Sequence, residues 1–416
     1  MLLPLKSSDR RPSYSVHVLQ RVARHRYLLP FTMALSIASF LLIATMSTTD
    51  DRQVGTELVF RDPMSPRPPP KPLPIQELNA LRGQPVAHPY RPMTAQELGL
   101  LTVYIDSGHY LGPGYAHVID RCPWRDGEFL QCEFSNTPSR RQESHALWVH
   151  VPGAPGGIQR THPNQKLVVM SIESAANYGE LDNPNFMGQF DYEMSYRLSA
   201  TIPCLYSGEW MAGITRPPIP QSKKVDAIAF LNGNCGPASG RQQIMDELIR
   251  LPGGYPVHAF GACSHNREFP PELNNDKVAL FSTYKFCVAM ENTIAQDYVT
   301  EKLWQSLTAG CVPVYLGAPN IQDFLPVPSD QIIIDYRALG GVQALNDRLH
   351  ALSASPSSYD AMLAWKTLPV EATLPGWKFL HAQSIMPDPQ CLMCQALALD
   401  LEQQCTADPV RFADST

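Results

Sequence analysis

Four common catalytic signatures are missing from this 416-residue chain. No G-x-G-x-x-G follows a strand-like run, and no Walker loop, G-x-S-x-G or H-E-x-x-H occurs. D-x-D, a frequent metal-binding element, is absent too; Asp126-Gly127-Glu128 and Asp191-Tyr192-Glu193 are only loose relatives. Positive charge is not in excess: 33 basic residues face 39 acidic ones, a net −6, which gives no support to a nucleic-acid binder. No N-x-[ST] sequon occurs, since Asn136-Thr137 runs into Pro138. What remains is still well supplied with apolar residues, at 44%. A wholly disordered chain and a small disulfide scaffold are both excluded, and the length suggests two domains with accessories.

Proline is abundant. The chain has 39, about twice ordinary usage, and ten of them fall between Pro63 and Pro92. Charge is also uneven. Residues 1–26 carry Lys6, Arg10, Arg11, Arg21, Arg24 and Arg26 against Asp9, a local +5 that leaves −11 for the remainder. Residues 27–46 then run for twenty positions without a charge. Twenty helical residues span about 30 Å, the thickness of a bilayer's hydrocarbon core. A basic N-terminal flank stays in the cytoplasm, so the rest of the chain is sent across. The long basic region and the lack of an A-x-A site favour an uncleaved anchor over a signal peptide. The expectation is a cytosolic tail (1–26), a signal anchor (27–46), an extended Pro-rich stem (47–98) and a luminal head: a type II membrane protein.

From about Leu100 short apolar runs alternate with helical patterns. LTVYID (101–106), LWVHV (147–151) and KLVVMSI (166–172) read as buried parallel strands. A second block holds VDAIAFL (225–231), YPVHAF (255–260), YKFCVAM (284–290), VPVYLG (312–317) and QIIIDY (331–336). RQQIMDELIRL (241–251) and TEKLWQSLTAG (300–310) read as helices, the latter with Thr300 as N-cap and Gly310 as its stop. This pattern predicts α/β architecture with two doubly wound domains, 99–215 and 216–370, joined within 209–222 and followed by a C-terminal segment, 371–416. Ten cysteines fit an oxidising compartment. Cys391-Leu-Met-Cys394 has no second pair at zinc-ribbon spacing and is read as disulfide-forming. Cys287 and Cys311 lie in apolar runs and are read as buried free thiols.

Ligands in such sheets sit outside the carboxyl ends of the strands. Glu173 follows one strand run directly, and Glu291-Asn292 follows another. In the helix opening at Thr300, Glu301 suits the first turn, whereas Lys302 is disfavoured there unless an anion docks on the exposed N–H groups. A metal-independent luminal transferase is the reading these residues leave.

The stretch YKFCVAMENTIAQDYVTEKLWQSLTAGCVPVYLGAPNIQDFLP (284–326) resembles the signature of the α1,3-fucosyltransferases, glycosyltransferase family 10. NGNCGPASGR (232–241), HAFGACSHNRE (258–268) and the C-terminal Cys391-x-x-Cys394 extend the resemblance. The GAPNIQDF run and the NCG and GAC elements are most similar to the plant and invertebrate branch that fucosylates the N-glycan core. MSIESAANYG and FDYEMSYRL resemble the family's acceptor-domain motifs more loosely.

The resemblance implies a GT-B fold, with two Rossmann-like domains facing a cleft. It implies GDP-β-L-fucose as donor, inversion at the anomeric carbon and a Golgi membrane location, with no required metal and divalent cations at most stimulating. Glu173 matches the family's general base. Arg241 matches the arginine that meets the donor phosphates. Asn292, Tyr298, Glu301 and Lys302 match its nucleotide-sugar residues, and Asn232 and Asn234, near Arg241, are added to them. Glu301 suits ribose hydroxyls, and Arg241 and Lys302 suit a diphosphate leaving group. The C-x-x-C cysteines are expected to pair with Cys122 and Cys132, and Cys235 with Cys263. SAANYGELDNPNF after Glu173 departs from the S-P-x-H of Lewis-type relatives, which bears on the acceptor. The acceptor expected is core GlcNAc of a glycoprotein N-glycan; lactosamine and a protein Ser/Thr hydroxyl are the alternatives, and an inactive Golgi glycan-binding protein is the non-enzyme rival.

Overall fold

The computed structural model describes residues 92–106, 115–151, 158–385 and 388–407. The basic tail, the expected span at 27–46 and the stem up to residue 91 lie outside them. Among the described residues no helix is long and apolar enough to cross a membrane.

A short helix, α1 (Ala95–Leu98), leads into the first sheet. That sheet comprises β1 (Leu100–Ile105), β2 (Val118–Pro123), β3 (Phe129–Ser135), β4 (Ala146–His150), β5 (Lys166–Ser171), β6 (Tyr192–Ser195) and β7 (Ile202–Pro203), with helix α2 (Pro184–Met187) between β5 and β6. Its order is β2-β3-β1-β4-β5-β6-β7, and every pairing is parallel except β2 with β3. The second sheet follows the joint. It contains β8 (Val225–Phe230), α3 (Arg241–Arg250), β9 (Val257–Ala259), α4 (Lys277–Ser282), β10 (Tyr284–Met290), α5 (Glu301–Ala309), β11 (Val312–Leu316) and β12 (Ile334–Asp335). Its strands run all parallel in the order β12-β11-β10-β8-β9. Four α-helices follow among the described residues: α6 (Val342–Ala354), α7 (Pro356–Ala361), α8 (Pro375–Ser384) and α9 (Pro389–Ala407).

The apolar runs in the sequence are continuous because both faces of a parallel sheet are covered. All five residues of β4 and of β11 are buried. On one face of the second sheet, Phe286, Val288, Val312 and Val314 pack with Met245 and Leu248 of α3 and Leu345 and Leu349 of α6. Gly310 ends α5 in the left-handed region, at φ +71°, where a Cβ would also press on Pro218.

The C-terminal segment returns to the first sheet. Leu392, Met393 and Leu397 of α9 share a core with Leu101 and Trp148. Arg125 pairs with Glu402, and Lys166 Nζ lies 3.1 Å from Asp400. Disulfides Cys122–Cys391 and Cys132–Cys394, with Cα separations of 5.4 and 6.3 Å, fasten α9 to β2 and β3, and Cys235–Cys263 forms as well. The family resemblance implied all three. Removing both Cys132 and Cys394 by serine substitution is expected to lower unfolding free energy by about 2–5 kcal/mol. Urea unfolding of the oxidised proteins checks this, and an unchanged midpoint would show that packing alone holds α9.

One expectation needs correction. Cys287 and Cys311 are not free thiols but a disulfide, with Cα atoms 6.0 Å apart. The parallel pairing of β10 with β11 sets Phe286 opposite Val312 and so brings the two sulfurs within bridging reach. Helix α1, within the stretch expected as stem, is bonded to the first sheet's neighbourhood. Thr94 and Glu97 form a capping box on α1, and Ala95 N–H donates to Glu128 Oε2 at 2.8 Å.

Candidate active site where the two sheets meet

Glu173 lies two residues beyond β5, at the carboxyl end of the first sheet. Ser171 turns the chain there: its hydroxyl donates to Glu173 O at 2.9 Å and accepts from Glu173 N–H at 3.2 Å. Tyr206 secures the same turn, its hydroxyl donating to Ile172 O at 2.6 Å. The Glu173 carboxylate is half-buried. Its Oε2 accepts from Asn177 Nδ2 and from the Tyr298 hydroxyl, each at 3.1 Å. His150 closes β4 nearby, buried and set edge-on to Tyr178 at 6.4 Å. Burial lowers the His150 pKa, and the charge of Glu173 works the other way.

Tyr298 belongs to the second half of the chain but packs in the first half's core, with Val149, Val169 and Tyr196. Its ring meets that of Tyr196 at 5.1 Å and 74°. Beside it, Ser174 Oγ and Thr293 Oγ1 share a hydrogen bond of 2.5 Å, and Leu198 N–H donates to Asp297 Oδ2 at 3.3 Å. The E-S-A run of the first sheet therefore abuts the E-N-T and D-Y-V-T-E-K runs of the second. The Tyr298 hydroxyl faces the candidate base.

On the other side stands a cluster of charges. Glu291 follows β10 and is fully buried. It accepts from Thr300 N–H at 2.8 Å and from Thr300 Oγ1 at 2.7 Å, with Lys302 Nζ at 3.2 Å. Thr300 is thus the N-cap residue of α5 by position, but its hydroxyl serves Glu291 rather than the helix. Lys302 also donates to Glu301 Oε1 at 2.9 Å. Burial works against the ammonium, and Glu291 and Glu301 outweigh it, holding the Lys302 pKa above the ordinary lysine range. Burial likewise opposes charge on Glu301, and Lys302 overcomes it, so the Glu301 pKa is lowered. Sequence reading marked Glu291 by its strand-end position and gave it no part in the site. In the structure it positions Lys302.

Arg241 opens α3 and is buried. Its Nη1 donates to Met290 O at 2.8 Å and its Nη2 to Asn232 Oδ1 at 2.6 Å, while Nε has no partner among the described residues. Desolvation lowers its pKa, opposed by Glu291 and Glu301, which places the guanidinium within electrostatic reach of the start of α5. Asn232 is buried and orients Arg241. Asn234 is exposed, and its side chain accepts from Gly236 N–H at 3.1 Å. Asn292 receives Ser239 N–H on its carbonyl at 2.9 Å, tying that loop to the end of β10. Gly261 backs directly onto the Asn232 backbone, where a Cβ would collide. Gly261→Ala is expected to displace Asn232 and with it Arg241, weakening nucleotide binding about tenfold or more while costing about 1–3 kcal/mol of stability. Calorimetric titration with GDP and a thermal melt measure the two; unaltered GDP binding would separate Asn232 from the site.

Glu173 and Tyr298 are thus joined directly, Arg241 is joined to Asn232, and Glu301 to Lys302, while Asn234 is exposed and Asn292 is tied through its backbone carbonyl. Among the described residues no group of three or more His, Cys, Asp or Glu is placed to hold a metal ion.

A model of the fucosyltransferase N-terminal domain matches residues 102–207, and one of the glycosyltransferase family 10 (fucosyltransferase) C-terminal domain matches residues 221–411. A putative fucosyltransferase-like protein of Arabidopsis thaliana is 32% identical over 243 residues, 58% of this chain and 45% of that one. GDP-fucose protein O-fucosyltransferase 3 of Xenopus laevis is 32% identical over 151 residues, 35% of this chain and 31% of that one. Alpha-(1,3)-fucosyltransferase B of Drosophila melanogaster is 26% identical over 252 residues, 55% of each. The chain thus spans less than half the length of the first two relatives. The two family models together cover well over half of the chain, each on its own sheet, and the chain belongs to glycosyltransferase family 10, the fucosyltransferases.

Proposed function

We propose that the protein transfers L-fucose from GDP-β-L-fucose to the 3-hydroxyl of GlcNAc in a glycoprotein glycan, the N-glycan core first. The observation that carries this reading is the hydrogen bond from Tyr298 to Glu173. It joins the candidate base to the loop that leads into Glu301 and Lys302, so both halves of the reaction share one cleft. Glu173 takes the proton of the acceptor hydroxyl as it attacks the anomeric carbon. The diphosphate leaves against Arg241, Lys302 and the N-terminus of α5, which stabilise its charge without a required metal. One carboxylate acting as base suits direct displacement, and hence inversion to an α-linked fucose. The α1,3 linkage is supported by the motif resemblance and by the name of the Drosophila relative. The +5 tail and the uncharged run at 27–46 support a type II anchor in the Golgi membrane with the head luminal.

A second reading, transfer to a Ser/Thr hydroxyl on protein, is favoured by the similarity to the Xenopus O-fucosyltransferase. The test is incubation of detergent-solubilised full-length protein with GDP-fucose and a panel of N-glycan core, lactosamine and peptide acceptors. Mass spectrometry then locates the fucose. Label on core GlcNAc supports the first reading, label on peptide the second, and label on lactosamine the Lewis-type alternative.

A further inference from the structure

The Glu173 carboxylate is held unevenly. Oε2 accepts from Asn177 Nδ2 and from the Tyr298 hydroxyl, each at 3.1 Å, while among the described residues Oε1 accepts no hydrogen bond. Tyr298 reaches it from the second half of the chain. Asn177 belongs to the turn that carries Glu173 itself, and that turn is fixed from several sides. Asn177 N–H donates to Ser174 O at 2.9 Å, and Tyr178 N–H to the same oxygen at 3.0 Å. Ser174 is fully buried, and its hydroxyl shares a 2.5 Å hydrogen bond with Thr293 Oγ1, in the loop after β10. Ala175 N–H donates to the Tyr196 hydroxyl at 2.8 Å. On this pinned backbone Ala176 and Asn177 are exposed.

We propose that Asn177 is a positioning residue for the candidate base: with Tyr298 it holds Glu173 Oε2 and leaves Oε1 to take the acceptor's proton. The inference rests on Glu173 being the base of fucosyl transfer and adds the residue that aims it. Occupancy is the first argument. Two donors on Oε2 engage its lone pairs and stabilise negative charge there, so the oxygen open to an acceptor hydroxyl is Oε1. Orientation is the second. One bond from Tyr298 leaves the carboxylate able to turn about its terminal torsion, and a second donor on another loop fixes its plane. A base must lie within about 2.6–3.2 Å of the proton it removes. Displacement by about 1 Å can cost about a hundredfold in rate. Third, both donors are uncharged. Burial raises the Tyr298 pKa, so that hydroxyl keeps its proton, and an amide has none to exchange with the base. A cation in either place would hold Glu173 ionised and oppose its catalysis. The Ser174–Thr293 bond also ties the Asn177 turn to the residue next to Asn292, so the aim is set from both halves of the chain.

The experiment compares wild type, Asn177→Ala, Glu173→Gln and the double variant, each as full-length protein. Fucose transfer from saturating GDP-fucose gives kcat and the acceptor KM, calorimetry gives GDP affinity, and a thermal melt gives stability. Asn177→Ala is expected to lower kcat about tenfold to a hundredfold. Acceptor KM, GDP affinity and melting temperature are expected to stay near wild type, since Asn177 is exposed. In the Glu173→Gln background the same substitution is expected to cost less than about twofold, because no base is left to aim. Three results overturn the proposal and leave the base reading standing: a wild-type kcat for Asn177→Ala, a raised acceptor KM with kcat intact, or a loss repeated in full in the Glu173→Gln background. Loss of GDP binding and stability along with turnover assigns Asn177 to the fold and overturns it too. A Glu173→Gln protein with the wild-type rate, or a wild type that transfers no fucose, overturns both.

Discussion

Glu173→Gln is expected to lower turnover by about 10²–10⁴ while GDP affinity stays within a factor of two of wild type. The substitution preserves shape and keeps an oxygen able to accept from Asn177 and Tyr298, both of which donate to Oε2 in the native side chain. Only the capacity to take a proton is removed. The cations Arg241 and Lys302 do not depend on that capacity, being held by Met290, Asn232 and Glu291. A loss of KM alone, with kcat intact, would move Glu173 from base to acceptor contact. A wild-type rate would remove it from the reaction, and equal silence of wild type and variant on every acceptor would favour the inactive glycan-binding rival.

Lys302→Met is expected to weaken GDP binding at least a hundredfold and to destabilise the fold by about 3–5 kcal/mol. Two separate costs are involved. The diphosphate loses a cation positioned at a helix N-terminus, and Glu291, fully buried, loses the charge that compensates it. Adding Glu291→Gln resolves them. The double variant leaves no uncompensated charge beneath α5, so its melting temperature should recover most of the loss while GDP binding stays poor. If GDP affinity recovers along with stability, Lys302 supports the fold and does not meet the donor. Glu291 explains why the effect is large: one carboxylate fixes Thr300 and Lys302 together, so the helix start and the cation are aligned by a single buried group.

Much of this was legible in the residues. The strand runs 101–106, 147–151, 166–172, 225–231, 284–290 and 312–317 all became strands, because burial on both faces of a parallel sheet leaves uninterrupted apolar sequence. The β2–β3 hairpin was not legible. Val118, Asp120 and Arg121 lie on an edge strand that is largely exposed, which erases the apolar run. The C-terminal segment was recognised by its cysteines, although neither α8 nor α9 was read as a helix. The Cys287–Cys311 bridge depends on which strands are neighbours, and no local pattern encodes that. Within the candidate site, motifs give positions along the chain but not side-chain direction. The Tyr298 hydroxyl donates to Glu173 and the Asn232 side chain accepts from Arg241, contacts that no local motif encodes.

The reaction itself tests the central claim most directly: that the Glu173 side and the cation side form one inverting fucosyl-transfer site. GDP release and fucose incorporation are followed together from GDP-β-L-fucose and a GlcNAc acceptor, and the anomeric configuration of the product is read by proton NMR. The account predicts one GDP released per fucose transferred and an α-linked product. A β-linked product, or GDP-fucose that binds and is never turned over with any acceptor, would contradict it.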